Sequence, residues 1–368
     1  MNSFFDGLGL PADCFPTSSA FCQARGKVSH NAFIELNQNA VEIFYQHDGY
    51  KTWKGHRLLS IDGSTLQLPK HESIEEEFGV HEFGPKADSS KSLARISYLY
   101  DVLNGVVIDA RMKSFATSEA DLAWEHLKFL RKNDVVIFDR YYPSTQLMSM
   151  LKKMGVHFCF KMKSDWWRKV KDFKNSGSTD QKVCFELSSK YKQWAEENEM
   201  PEKFFGRLIR NKNKKGDIEI LYTSLLCKEK YSKNNICNLY KERWNIEEGY
   251  KLIKARLDVE EFSGIKSLVV KQDFYCKTLL LTLNAIMSQK IKPSVKKIKD
   301  RIININKTIG LSTTKKIFAK IALGWDIPKV VDYYTKVITG KFNFSRKGQS
   351  TPRNKICHRK FNMNYKTA

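Results

Sequence analysis

Three carboxylates and one run of polar residues hold most of the chemistry this sequence could perform. Asp62 lies in SIDGSTLQLP, Asp139 in VVIFDRYYPS and Glu247 in YKERWNIEEGYKLIK. Both aspartates close short apolar runs, as an acid at the end of a buried strand does. Carboxylates gathered from neighbouring elements suit a hard divalent cation, which prefers oxygen ligands. Two such ions about 3.5–4 Å apart support in-line displacement at phosphorus. Each acid alone has a plainer reading. Asp62 could be a turn residue before Gly63, Asp139 a partner of Arg140 or a helix cap, and Glu247 a solvated helix acid. Joint placement on one sheet edge favours the metal site.

The segment around Glu247 is more specific. Tyr240, Arg243, Glu247 and Lys254 stand at offsets of 3, 7 and 14 from the first of them. On one continuous helix these positions fall within about 60° of arc. A single face would then carry a phenol, a guanidinium, a carboxylate and an ammonium. The carboxylate suits a metal ion and the cations suit phosphate. The alternative is an ordinary i,i+4 pair such as Glu247 with Lys251, which explains the charges but not their order.

The elements that must position these groups are legible in outline. Residues 17–48 read as helices, the first capped by Ser18 or Ser19. RLLSIDGSTLQL (57–68) reads as an apolar run broken by a turn at Asp62-Gly63, so that Asp62 ends the first strand. Residues 69–92 read as a mobile polar loop. ARISYLYDVLNGVVIDARM (94–112) reads as two strands joined at Asn104-Gly105. Ser118 caps a helix to about Arg131, VVIF leads to Asp139, Pro143 starts a helix to Met154, and HFCFKMK is a further strand. Residues 164–231 change character, with Trp166, Trp167 and Trp194 and a hairpin around NKNKKGD. Ser232 caps a helix through about Leu257, and 267–288 form an apolar helix. Three antiparallel strands followed by parallel ones between helices give an α/β fold, a mixed sheet in ribonuclease H-like order. The expected divisions are 1–56, helical; 57–163, first part of the core; 164–231, a β-rich insertion; 232–289, the rest of the core with the glutamate helix; and 290–368, a basic C-terminal region.

Composition narrows the partners. The net charge is +23, and residues 290–368 hold 20 Lys and Arg against 3 Asp. Such a surface attracts polyanions, nucleic acid first and an anionic membrane surface second. No apolar run of about 18 residues predicts a membrane span, and no signal peptide is read at the start. The eight cysteines form no CxxC pair, so neither a zinc site nor a disulfide framework is expected, and the thiols fit a reduced cytoplasm.

The Y-x2-R-x3-E-x6-K spacing resembles the signature of the insertion-sequence-four family of DDE transposases at every position. Asp62 in SIDGSTLQLP resembles the family's first acid, Asp139 followed by Arg140 its second, and Glu247 its third. The resemblance covers roughly residues 18–290. It implies a ribonuclease H-like core interrupted by a β-rich insertion, and an enzyme that cuts transposon-end DNA, forms a hairpin, reopens it and joins the 3′-OH to target DNA. It implies two Mg2+ ions, with Mn2+ as a substitute, held by Asp62, Asp139 and Glu247. It also implies a homodimer on paired ends and a prokaryotic, nucleoid-associated protein. DNA contacts are expected from Tyr240, Arg243, Lys254 and Arg140, and from Lys296, Lys297, Lys299, Arg301, Lys315 and Lys316 in the tail. Ser64 or Thr65 is a weaker candidate. Trp166, Trp167 and Trp194 are candidates to hold an unstacked base. Relatives carry more helical sequence before the segment matching residue 18, so a late start and a reduced end-binding part are expected here. The competing expectations are a nuclease that cuts without joining and a DNA-binding protein without activity.

Overall fold

The computed structural model describes residues 9, 11–82, 90–163, 166–212, 216–289, 291 and 301–346. Its first helices are α1 (Ser18–Gly26), capped by Thr17 rather than by Ser18 or Ser19, and α2 (Asn31–Gln46). Then come β1 (Leu58–Gln67), α3 (Glu72–Phe78), β2 (Leu93–Asp101), β3 (Val106–Ser114), α4 (Glu119–His126) and β4 (Val135–Phe138). Next are α5 (Thr145–Lys153), β5 (His157–Met162), α6 (Arg168–Asn175), β6 (Asp180–Glu186), α7 (Lys192–Glu197), β7 (Lys203–Lys212) and β8 (Ile218–Thr223). The chain continues through α8 (Lys233–Lys241), α9 (Trp244–Ala255), α10 (Ser267–Gln289), β9 (Arg301–Ile305), α11 (Lys307–Ala322), α12 (Ile327–Thr339) and β10 (Phe342–Arg346).

By backbone proximity the chain divides into two compact units. One comprises Gly49–Ser64 and Arg95–Gly249, the other Met1–Asp48, Thr65–Ala94 and Tyr250–Ala368. The first is built on a sheet of order β3-β2-β1-β4-β5-β8-β7-β6. β4 runs parallel to both β1 and β5, and β5-β8-β7-β6 are antiparallel. Val102 N–H donates to the Leu58 carbonyl, and Leu68 N–H to that of Ser92, so β2 runs antiparallel to β1. Strands β3-β2-β1-β4-β5 are thus the expected ribonuclease H-like set. The hairpin around 211–217 is the β7–β8 connection, and the strands of 164–231 lengthen the same sheet. β4 is buried at every position, as a continuous apolar run in a parallel pair requires.

Four further local readings change. β1 runs unbroken through Asp62 and Gly63, so Asp62 lies inside the strand and not at its end. Gly63 has no positive φ; a Cβ there would come within 2.8 Å of the Glu119 side chain, so the glycine serves close approach rather than a turn. The segment read as a loop contains α3, whose Ile74 and Phe78 are buried one turn apart. At the β2–β3 connection only Gly105 takes positive φ, at 74°. Asp101 instead fixes the loop by accepting from the Leu103 and Asn104 amides. Finally, the helix read from Ser232 to Leu257 is two helices, α8 and α9. Arg243 N–H donates to the Tyr240 carbonyl and Asn245 N–H to that of Glu242, a tightened i→i+3 turn. The Asn245 amide group also donates to the Val102 carbonyl at 3.0 Å and to Glu242 at 2.9 Å, which pins the break. Tyr240 and Glu247 therefore do not share one helix.

In the second unit α10 packs against α2 and α11. Arg25 joins Asp273 at 2.8 Å and the Gln272 side chain at 2.8 Å. Ile317, Val330, Tyr334 and Ile338 form the core of the C-terminal part. Lys307, Lys315, Lys316, Lys320, Lys329 and Lys336 are carried on this α11–α12 pair.

Candidate active site

Parallel pairing of β1 with β4 matches Leu58 to Val135, Leu59 to Val136 and Ser60 to Ile137. Carrying that register two residues further sets Asp62 opposite Asp139, the residue after β4, on strands about 4.8 Å apart. The apolar runs before each acid, fully buried, hold this edge in place. Beyond the end of β4 the chain turns, and Tyr141 N–H donates to the Asp139 carboxylate at 2.6 Å. The Asp62 carboxylate accepts from Gly63 N–H at 3.0 Å.

Burial pushes the Asp62 carboxyl up to about 7. Arg243 and the Gly63 N–H pull against that rise, while Asp139 and Glu119 add to it. Two carboxylates facing each other across a strand pair cannot both ionise without cost unless a cation joins them. Here a guanidinium stands nearby. Arg243 lies 3.7 Å from Asp62 and donates to Glu247 at 2.8 Å, linking the first and third acids. Its Nε is buried without a hydrogen-bond partner. Among the described residues no three His, Cys, Asp or Glu side chains are drawn tightly enough together to hold a metal ion. Glu247 is turned onto Arg243. The donor set is nonetheless all carboxylate oxygen, and the place between Asp62 and Glu247 already accommodates a positive group, so these residues fit a hard divalent cation.

The other candidate residues fall in several places. Tyr240 is buried on α8, where burial, foremost, holds its phenol far above its usual range. Lys254, on α9, donates to the Thr65 carbonyl at 2.6 Å; Ser64 and Thr65 are half-buried on β1. Arg140 is exposed rather than paired with a core acid. It lines a cavity of about 350 Å³ together with Lys161, Lys163, Trp166, Lys174 and Glu219. Trp166 is 72% exposed. Lys163 Nζ sits 3.6 Å over its ring and 4.4 Å over that of Tyr141. Trp167 instead packs edge-on against Phe185, and Trp194 against Trp124 and Tyr191. Lys315 and Lys316 are exposed on α11. Lys296, Lys297 and Lys299 lie outside the described residues, as does the side chain of Arg301.

Two neighbours of the acids escaped the sequence reading. Glu119, at the first position of α4, lies against Gly63 and pairs with Arg95 at 3.0 Å. Its only sequence signal is the Ser118 capping box, which marks any helix start. The Tyr142 hydroxyl is buried and makes no hydrogen bond of ordinary geometry. Burial, then the charges of Asp62, Glu119 and Asp139, hold that phenol well above its usual range.

The chain is similar to known proteins. A transposase of the insertion sequence element IS4, InsG of Escherichia coli K12, is 21% identical over 281 residues, covering 76% of this chain and 62% of InsG. InsZ of the same strain is 24% identical over 103 residues, 28% of this chain and 34% of InsZ. A cryo-EM structure of the piggyBac transposase synaptic complex with hairpin DNA aligns with a TM-score of 0.42 at 11% identity, over 77% of this chain and 57% of that one. The chain thus spans less than two thirds of the length of each. DDE transposases generally use divalent metal ions. A model of the transposase DDE domain matches residues 53–283, which hold all three acids and the strands and helices that carry them, and the chain belongs to that family.

Proposed function

We propose that this chain is a cut-and-paste DNA transposase, acting on the ends of a mobile element and on target DNA. The observation that supports it most is the register that sets Asp62 opposite Asp139 within the matched domain. Asp62, Asp139 and Glu247 would hold two Mg2+ ions, or Mn2+ in their place. The ions would activate the attacking oxygen and neutralise charge on the phosphate. Asp62 and Asp139 orient the reacting phosphodiester at the sheet edge. Arg243, released from Glu247, binds a phosphate oxygen, and Lys254 binds phosphate on giving up the Thr65 carbonyl. Arg140 and the exposed lysines of α11, with Lys296, Lys297 and Arg301, hold the DNA backbone without reading sequence.

Four displacements at phosphorus follow from one site. Water oxygen attacks the end phosphodiester and the 3′-oxygen leaves with a proton. That 3′-OH attacks the opposite strand, forming a hairpin and releasing the flanking DNA. Water reopens the hairpin, and the 3′-OH then attacks target DNA. Bending an end into a hairpin unstacks a base. Of the three tryptophans Trp166 best suits holding it, since it is the exposed one and lies beside basic groups, with Lys163 to be displaced from its ring. The complex would be a homodimer on paired ends. The test is incubation of the purified protein with end-containing duplex, target plasmid and Mg2+. Nicked, hairpin and joined products are expected. Cleavage without joining would identify a nuclease, and binding without cleavage an inactive DNA-binding protein.

A further inference from the structure

The peptide unit between Asp62 and Gly63 is held on both sides. Its N–H, on Gly63, donates to the Asp62 carboxylate at 3.0 Å. Its C=O, on Asp62, accepts from the Ser97 hydroxyl at 3.2 Å. Ser97 is fully buried on β2, and its oxygen lies 3.0 Å from His126 Nε2. His126, fully buried at the end of α4, sets Nδ1 2.7 Å from the Asp109 carboxylate on β3. Asp109 is further anchored by Arg111 Nε at 2.7 Å. A chain of buried groups from three elements thus converges on one carbonyl.

We propose that Ser97, His126 and Asp109 form a positioning relay that sets the direction of the Asp62 carboxylate through the Asp62–Gly63 peptide. The peptide is planar, so fixing its C=O fixes its N–H. That N–H in turn fixes the carboxylate oxygen it meets. Donation to the carbonyl also polarises the peptide and strengthens the bond its N–H makes. Ser97 touches no reacting atom; it acts through Asp62. The proposal rests on the reading of Asp62 as a metal ligand.

Ser97→Ala removes the hydroxyl. The isosteric pair Ser97→Thr and Ser97→Val then separates hydroxyl from packing. Mn2+ binding is followed by the electron paramagnetic resonance of free Mn2+ without DNA, alongside single-turnover cleavage and DNA affinity. Partners of this kind change metal affinity or rate by about 10–100-fold. Ser97→Ala and Ser97→Val should lose about tenfold in Mn2+ affinity and in cleavage rate. DNA affinity should stay within about twofold, and Ser97→Thr should restore both losses. Wild-type Mn2+ affinity in Ser97→Ala or Ser97→Val overturns the relay. So does an equal loss in Thr and Val, or folding of Thr alone, which would make the hydroxyl a requirement of the fold. Asp62→Ala separates the two levels. If it keeps wild-type cleavage, the metal-ligand reading itself fails; if it abolishes cleavage while Ser97→Ala is normal, only the relay fails.

Discussion

Asp62→Asn should stabilise the metal-free protein at alkaline pH and not at acid pH. The Asp62 carboxyl is raised from an ordinary 3.8 to about 7, chiefly by burial. Between those values the folded protein keeps a proton that the unfolded chain has lost. The stabilisation this gives is complete below 3.8 and disappears as pH rises through 7. Above 7 the folded state holds a largely buried carboxylate, its side chain 19% exposed, against Asp139 and Glu119. The rise corresponds to up to ~4 kcal/mol, at about 1.36 kcal/mol per pH unit. Asparagine keeps the shape without the charge. In urea unfolding with EDTA, the variant should exceed wild type by ~1–4 kcal/mol at pH 8 and by much less at pH 4.5, with m unchanged. Adding Mn2+ at pH 8 should then stabilise wild type but not the variant, because the ion binds only the folded carboxylate site. Equal stability at pH 8, or a difference independent of pH, would refute the reasoning.

Three further outcomes are expected. Trp166→Ala should slow hairpin formation by about tenfold or more, on the ~1–3 kcal/mol scale of base stacking, and leave the first nick nearly intact; equal losses in both steps would count against a base-holding role. Lys315→Ala with Lys316→Ala should flatten the dependence of log affinity on log salt by about 0.9 for each phosphate that is no longer neutralised, measured by titrating duplex at several salt concentrations. Gly63→Ala should destabilise the fold by ~1–3 kcal/mol as the new Cβ meets Glu119, and Glu119→Ala in the same chain should recover most of that stability in thermal unfolding.

What sequence alone revealed follows from where each constraint lies. β4 was readable because VVIF is continuously apolar and a buried parallel strand needs nothing else. The place of Asp62 inside β1 was not, because a glycine after an aspartate looks like turn punctuation. Here Gly63 answers to Glu119, which lies 56 residues away in sequence. The break between α8 and α9 has no Pro or Gly to announce it and is held by the bond from Asn245 to Val102. Spacing therefore singled out Tyr240, Arg243 and Glu247 as candidates, but the single-face geometry derived from that spacing does not hold. α3 was hidden because only Ile74 and Phe78 of its seven residues are buried. The three tryptophans are alike in the sequence; Trp167 packs on Phe185 and Trp194 on Trp124 and Tyr191, partners distant in sequence or set by the fold, while Trp166 is exposed. Asp109, His126 and Ser97 show no spacing that announces a network, since strand pairing and α4 bring them together.

The most direct test of the three-acid site is a structure of the protein with end-containing DNA and Mn2+, with the ions located by anomalous scattering. Two Mn2+ about 3.5–4 Å apart should appear, held by Asp62, Asp139 and Glu247, and Glu247 should have left Arg243. Ions bound elsewhere, or Glu247 still paired with Arg243 while DNA and Mn2+ are in place, would contradict it.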